Sequence, residues 1–321
     1  MLLLLTSSRD LTVDLLIEHF STPVFRFNLD IFEEYELQLT PEAWSISNPA
    51  GLTISSTSAT RCLWWKVVLA LADEEQYVRS EIRYIARELY AWFWNRGLAV
   101  GNSPEAEDNL GKVTQASIAN RHFKVPKQIV TWGNSLQQLG DAPRNWVAKS
   151  LSSQLVTPGR ALFTTEVDPN QLDARFPWYV QELIRSPRDV TLLFVGGKTF
   201  AFSRERSSDS NLDWRVDAFG TANIWKWYQL NENQIKATQA MMRDMRLTWG
   251  RIDFLEANSG LYFLEVNPNG QWAFLDPDNR YGLVTEVANH FETAPTHGLT
   301  SIPDSEINGL LNQGSKSSSG K

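Results

Sequence analysis

Two short runs, Arg251-Ile252-Asp253-Phe254-Leu255 and Phe263-Leu264-Glu265-Val266-Asn267-Pro268-Asn269-Gly270, place acids inside otherwise apolar sequence. Each run has the character of a strand, and the turn residues Asn258-Ser259-Gly260 join the two as a hairpin. Alternate residues of a strand share a face, so Glu265 and Asn267 point the same way, and Asp253 on the neighbouring antiparallel strand reaches the same space. Three oxygen donors then converge. They are few enough to leave positions for water and phosphate, which is what Mg²⁺ bound to a nucleotide requires. Taken singly, each residue reads as readily as an ordinary group on a solvated strand face. Taken together, Asp253 and Glu265 lie among Ile252, Phe254, Leu255, Leu264 and Val266, where an acid pair is costly unless a cation neutralises it.

Working outward, Glu232 to Thr248 has the spacing of a helix, and strands precede it at Trp146–Ser150, Ala161–Val167, Tyr179–Ile184, Val190–Val195 and Thr199–Arg204. Gly196-Gly197 between two apolar runs signals a hairpin turn. Upstream, Lys112 to His122 reads as a helix followed by a strand around Gln128–Thr131. Asp73 to Arg96 reads as one long helix, and Asn102-Ser103-Pro104 stops that pattern. The opening is strand, helix, strand: Leu2–Leu5, Leu11–Phe20 and Val24–Phe27, with further strands at Leu52–Ser55 and Cys62–Trp65, as in an open α/β sheet.

Length and composition bound the rest. At 321 residues the chain suggests two or three packed units of roughly 100–150 residues each. The composition is that of an ordinary globular protein with an unusual thirteen tryptophans, so disorder is expected only in the Gly/Ser/Lys tail after about Ile302. A net charge of −7 gives no general attraction to nucleic acid or anionic lipid, so an anionic ligand has to be held by local cations and metal. The single cysteine, Cys62, excludes an internal disulfide, and no Cys/His cluster has zinc spacing; a reducing, cytoplasmic setting fits. Met1–Leu5 is too short and lacks the basic leading segment of a signal peptide, and no run reaches the roughly 18–20 apolar residues of a membrane span.

The order of motifs resembles the ATP-grasp ligases, and within them the RimK-like and graspetide (microviridin-type) synthetases. The resemblance rests on Asn109–Lys112 opening a helix, Lys149 in a strand, Gln181-Glu182-Leu183-Ile184, Phe194-Val195-Gly196-Gly197-Lys198, Asp213-Trp214-Arg215, Gly250-Arg251-Ile252-Asp253 and Leu264-Glu265-Val266-Asn267-Pro268-Asn269-Gly270-Gln271-Trp272. It is strongest over 146–292 and weaker, but in order, over 1–145, where Leu63-Trp64-Trp65-Lys66 is similar to an aromatic-basic strand of the synthetases' N-terminal domain. It implies α/β and α+β architecture in the ATP-grasp arrangement: an N-terminal open α/β (pre-ATP-grasp) domain over 1–105, a central subdomain over 106–185, a C-terminal nucleotide-binding subdomain over 186–300, and a disordered tail over 301–321.

The resemblance also implies roles. Lys112 and Lys149 would contact phosphates, a task that suits a compact ammonium on a flexible stem. Gln181 and Glu182 would read the adenine edge at the interdomain hinge, and Asp189 would take the ribose hydroxyls. Glu205 and Arg206 match the place of an acid-base pair near the triphosphate. Asp253, Glu265 and Asn267 would hold Mg²⁺. Asp213-Trp214-Arg215 matches the Asp-x-Arg element of the graspetide synthetases, whose arginine faces the reacting carboxylate and phosphate; a planar guanidinium holds two oxygens at once. Each of these residues alone is commonly a surface charge or a polar loop residue, and an Asp-x-Arg pair is often a surface ion pair worth little. One departure stands out: relatives usually have an arginine two residues after the position of Asp189, where this chain has Thr191. Substrate preference therefore does not transfer directly, and Arg185, Arg188 or Arg204 are candidates to replace the lost charge.

The implied reaction is ATP-dependent activation of a carboxylate as an acyl phosphate and its capture by a nucleophile. The expected substrate is an Asp or Glu side chain of a ribosomally made precursor peptide carrying a leader, joined to a Ser/Thr hydroxyl or a Lys amine. The tryptophans around the site, including Trp214, Trp225, Trp227 and Trp272, suit the gripping of a peptide, and equally suit a core. A ligase of free amino acids or small peptides is the second reading, and a nucleotide-binding scaffold without catalysis is a third. No role in nucleic-acid or membrane binding is expected, and a homodimer is left open.

Overall fold

The computed structural model describes residues 1–65, 76–133, 145–151, 163–206, 212 and 224–295. The chain folds into two compact units, Met1–Pro104 with Asn279–Lys321, and Glu105–Asp278.

In the first unit, β1 (Leu2–Thr6), α1 (Leu11–Ile17), β2 (Val24–Asn28), β3 (Glu36–Leu39), β4 (Trp44–Ser47), β5 (Thr53–Ser55), β6 (Arg61–Trp64), α2 (Gln76–Trp94) and β7 (Ala99–Val100) follow one another. Among the described residues β1, β2, β6 and β7 form a parallel sheet in the order β2-β1-β6-β7, and β3, β4 and β5 form a separate antiparallel meander. Leu2 to Leu5 are buried on both faces of the sheet, which is why β1 reads as an unbroken apolar run and not as an alternation. Asp10 caps α1 by accepting from the Thr12 N–H at 3.0 Å, and its other oxygen accepts from Trp65 Nε1 at 2.9 Å, so one acid ties helix start to strand end. A helix at Leu283–Thr293 returns to this unit: Glu292 accepts from the Ser21 hydroxyl, and Arg61 Nη1 donates to the Ala294 carbonyl at 2.8 Å.

The second unit opens with α3 (Pro104–Asp108) and α4 (Lys112–Ala119). Strands β8 (Gln128–Thr131), β9 (Trp146–Lys149), β10 (Thr165–Val167) and β11 (Trp178–Glu182) then form an antiparallel sheet in the order β10-β9-β11-β8. A larger antiparallel sheet follows, with β12 (Arg188–Val195), β13 (Lys198–Glu205), β14 (Lys226–Trp227), β15 (Trp249–Ala257) and β16 (Gly260–Asn267) in the order β14-β13-β12-β15-β16. Gly196 and Gly197, at φ 53° and 96°, turn β12 into β13 with the left-handed backbone a two-residue hairpin needs. One face of this sheet presents Val190, Leu192, Ile252, Phe254, Phe263 and Val266 to Met241, Met242, Met245 and Ala119, making the core of the unit. The helix that supplies the methionines, α5 (Glu232–Asp244), starts with a reciprocal Asn231–Gln234 capping box. It stops short of the expected Thr248 because Arg246, at φ 58°, turns the chain toward β15.

Among the described residues no helix is long and apolar enough to cross a membrane. Lys66, Asp213, Trp214 and Arg215 and the tail from 301 lie outside the described residues.

Candidate nucleotide and metal site

The face of the large sheet opposite its core carries the acids. Thr191 on β12 pairs with Asp253 on β15, and Asp253 pairs with Glu265 on β16, so one row across three strands carries a hydroxyl and two carboxylates. Strict alternation would not have produced this row. Phe254 pairs with Phe263, one residue out of step with the Asp253–Glu265 pair, so Leu264 is an extra residue in β16. Leu261 and Phe263 point into the core before this bulge and Val266 does so after it, which leaves Leu264 and Glu265 on the pocket side. Without the bulge Glu265 would share the face of Leu261 and Phe263.

The three expected metal ligands come together. Asn267 Nδ2 lies 3.3 Å from Asp253 Oδ2 and 3.2 Å from Glu265 Oε1. Asp253 is further oriented by the Thr191 hydroxyl, donating to Oδ1 at 2.7 Å, and by Arg251 Nη2, donating to Oδ2 at 3.0 Å. Glu265 Oε2 meets Lys112 Nζ at 3.0 Å. Burial alone would push the Glu265 carboxyl up, but the ammonium groups of Lys112 and Lys149 and the hydrogen bonds from Lys112 and Asn267 bring it down to about 2, so it is an anion at neutral pH. Two carboxylates, with the Asn267 amide turned to present Oδ1 in place of the Nδ2 that now faces them, would make a hard oxygen donor set of the size that suits Mg²⁺ held mainly by water and phosphate. Among the described residues no group of three or more His, Cys, Asp or Glu competes as a metal site. After Asn267 the chain turns sharply: Gly270 N–H donates to the Asn267 carbonyl at 3.1 Å, and a Cβ at Gly270 would come within 2.7 Å of Asn267 Cβ.

The acids line one wall of an open cleft of about 800 Å³, counting its mouth. Lys149 on β9 and Gln181 and Glu182 on β11 line the cleft as well. Gln181 is buried, and its Nε2 donates to Gln128 Oε1 at 3.1 Å; Tyr179 donates its hydroxyl to the same oxygen. The Glu182 backbone N–H donates to the Lys127 carbonyl at 2.7 Å while its side chain accepts from the Lys127 N–H, which pins the end of β11.

Asp189 also reaches the cleft, held by Arg204 Nη2 at 2.9 Å and with Arg206 Nε at 3.6 Å. Burial pushes its carboxyl up, opposed by the Arg206 and Arg204 guanidiniums. Arg206 lines the cleft and donates to the Leu212 carbonyl. Glu205 is not brought into the site: strand alternation turns it to the other side of β13, where it is 65 % exposed and pairs with Arg188 Nε at 2.7 Å. Of the arginines that could stand in for the one replaced by Thr191, Arg188 is committed to Glu205 and Glu256, and Arg204 lies at Asp189. The guanidinium beside the Asp253–Glu265 row is instead that of Arg251, two residues before Asp253 and therefore on its face. That spacing was the signal available for it. Gln128 carried no comparable signal, because its place beside Gln181 depends on the pairing of β8 with β11.

Two antiparallel sheets flanking a cleft lined by Lys149 on one and by Asp253 and Glu265 on the other define the ATP-grasp fold, and the chain has that fold. Two solved structures similar to it are the macrocyclase MdnC from Microcystis aeruginosa MRC bound with precursor peptide MdnA, and a RiPP-associated ATP-grasp ligase from Chryseobacterium gregarium in complex with ADP and a leader and core peptide. Each has a TM-score of 0.78 and 19 % identity; the first match covers 91 % of this chain and 99 % of that one, the second 92 % and 97 %. The D-alanine–D-alanine ligase from Bacillus anthracis complexed with ATP matches at TM-score 0.54 and 14 % identity, over 91 % of this chain and 95 % of that one. No protein-family model and no curated protein matches the chain.

Proposed function

We propose that the protein is an ATP- and Mg²⁺-dependent, ADP-forming ligase that joins an Asp or Glu side chain of a precursor peptide to a Ser/Thr hydroxyl or a Lys amine. The observation that carries this reading is the convergence of Asn267 and Lys112 on Asp253 and Glu265, two acids that line a cleft shared with Lys149, Gln181 and Glu182. A scaffold that only bound a nucleotide would have no use for so many charges gathered at the phosphate end. The higher TM-scores to peptide-bound ligases than to the D-alanine ligase support the peptide substrate over a free amino acid.

In this reading Asp253, Glu265 and Asn267 hold the metal, which supplies charge neutralisation on the transferring phosphoryl group. Lys112 and Lys149 hold phosphate oxygens, Gln181 and Glu182 position the adenine, and Asp189 takes the ribose. Arg206 sits beside Asp189 in the lining of the cleft, and Asp213 and Arg215 would serve the reacting carboxylate, as the resemblance implies. The substrate carboxylate oxygen attacks the γ-phosphorus and ADP leaves; the hydroxyl or amine then attacks the acyl carbon, loses its proton and expels inorganic phosphate. Exclusion of water from the cleft limits hydrolysis of the acyl phosphate. The setting is cytoplasmic, where ATP is available, and a homodimer is compatible with it.

The test is incubation of the enzyme with ATP, Mg²⁺ and a short Thr/Ser- and Asp/Glu-rich peptide encoded beside it. ADP release together with a peptide lighter by one water per ring is expected. ADP release with free amino acids and none with the peptide would move the assignment to a small-substrate ligase, and AMP as product would remove the acyl-phosphate step.

A further inference from the structure

Among the described residues β16 is an edge strand: on its outer side Phe263 N–H donates to the Lys124 carbonyl at 2.8 Å in an isolated bridge, and no strand runs alongside it. At Val266, the residue between the two ligands Glu265 and Asn267, both groups are taken by one side chain. Val266 N–H donates to Gln115 Oε1 at 2.8 Å, and Gln115 Nε2 donates to the Val266 carbonyl at 3.0 Å. The amide of Gln115 thereby imitates a strand residue. Its second N–H donates to the Leu110 carbonyl at 2.9 Å, just before α4 begins, and the whole side chain is buried.

Gln115 stands one helical turn after Lys112, so both face β16 from the same side of α4, and Lys112 reaches Glu265 while Gln115 grips Val266. The clamp falls directly after the Leu264 bulge, where pairing with β15 is out of step and the backbone has least support from its neighbour. A buried amide that satisfies three backbone groups at once has no replacement among the other side chains, since an apolar residue would strand all three and a carboxylate would set oxygen against two carbonyls.

We infer that Gln115 is a positioning residue: it fixes the Glu265–Val266–Asn267 backbone against α4, and so sets both the separation of the metal ligands and the reach of Lys112 to them. This rests on the metal-site reading above, and touches neither metal nor nucleotide itself.

The experiment measures Mn²⁺ binding by electron paramagnetic resonance in the presence of ADP, for the full chain and for Gln115→Met, Gln115→Glu and Ala119→Gly. The last loosens the same helix and leaves both Gln115–Val266 hydrogen bonds in place. Wild type should bind Mn²⁺ with ADP; both Gln115 variants should lose at least ten-fold in Mn²⁺ affinity, and Ala119→Gly should stay within two-fold. Equal losses in all three variants, or a Gln115 variant within two-fold of wild type, would overturn the inference. Failure of the wild type to bind Mn²⁺ with ADP would instead overturn the ligase reading and this one with it. Should the Gln115 variants not fold, hydrogen exchange on the wild type decides: adding Mg²⁺ and ADP should protect the Val266 amide and residues 110–116 together, and protection of one without the other refutes the clamp.

Discussion

Replacing Thr191 by Val removes one hydroxyl and nothing else of comparable size. The side chain is 2 % exposed and its oxygen donates to Asp253 Oδ1 at 2.7 Å, so the variant leaves a partly buried carboxylate oxygen short of one donor. A hydrogen bond to a charged acceptor is worth about 1.5–3 kcal/mol net. Asp253 keeps donors from Arg251 and Asn267, which places the loss at the low end, about 1.5 kcal/mol. Because Val and Thr have nearly the same shape, no cavity adds to it. For a unit of this size that corresponds to a fall in Tm of roughly 3–6 °C. Thermal unfolding followed by circular dichroism at pH 7, with Thr191→Ser as the variant that restores the hydroxyl, measures it directly. A Tm within 1 °C of wild type for Thr191→Val, or a Thr191→Ser no better than Thr191→Val, would show that the hydroxyl does not hold Asp253.

Other expectations are simpler to state. Glu265→Gln and Asp253→Asn should each lower ATP turnover by more than about 100-fold, since even groups behind metal ligands cost 10–100-fold, with circular dichroism little changed; wild-type turnover in both would remove the metal assignment. Gly270→Ala should weaken Mn²⁺ binding by roughly 10-fold by pressing on Asn267, and unaltered titration curves would contradict the tight turn. Burial pushes the Glu107 carboxyl from its ordinary 4.5 up to about 8, opposed by its hydrogen bond from Asn269. A raised folded value means stability that is full below pH 4.5 and lost as pH rises through about 8, at up to about 1.4 kcal/mol per pH unit. Glu107→Gln should flatten that decline in urea melts at pH 5, 7 and 9, and an unchanged slope would refute it.

What could be read from the chain depended on how local the cause was. The Gly196-Gly197 hairpin, the apolar first strand and the shared face of Glu265 and Asn267 follow from neighbouring residues, and each is where the residue pattern puts it. The β3–β4 pair was missed because Glu36–Leu39 and Trp44–Ser47 are short and mixed in polarity, and they become strands only by pairing with each other and with β5. The helix Leu283–Thr293 was missed as part of the first unit because its anchors, Ser21 and Arg61, are more than two hundred residues away. At the site, the resemblance put Glu205 with Arg206 near the triphosphate, whereas Arg204 and Arg206 both turn to Asp189 and the residue between them faces away to Arg188. Gln115 was invisible for a different reason. A glutamine inside a short helix is unremarkable until an unpaired strand edge is found beside it.

The extra residue at Leu264 makes chain length, more than residue identity, the quantity that β16 has to conserve. A drift from Leu264 to another apolar side chain would alter only the lining of the cleft, whereas loss of that one codon would exchange inside for outside for every residue on one side of it. Either a carboxylate would then be delivered among Phe254 and Phe263, or a phenylalanine into the cleft. Variation in this hairpin should therefore be rich in substitutions and nearly free of single-residue insertions and deletions, unless a second length change nearby restores the phase.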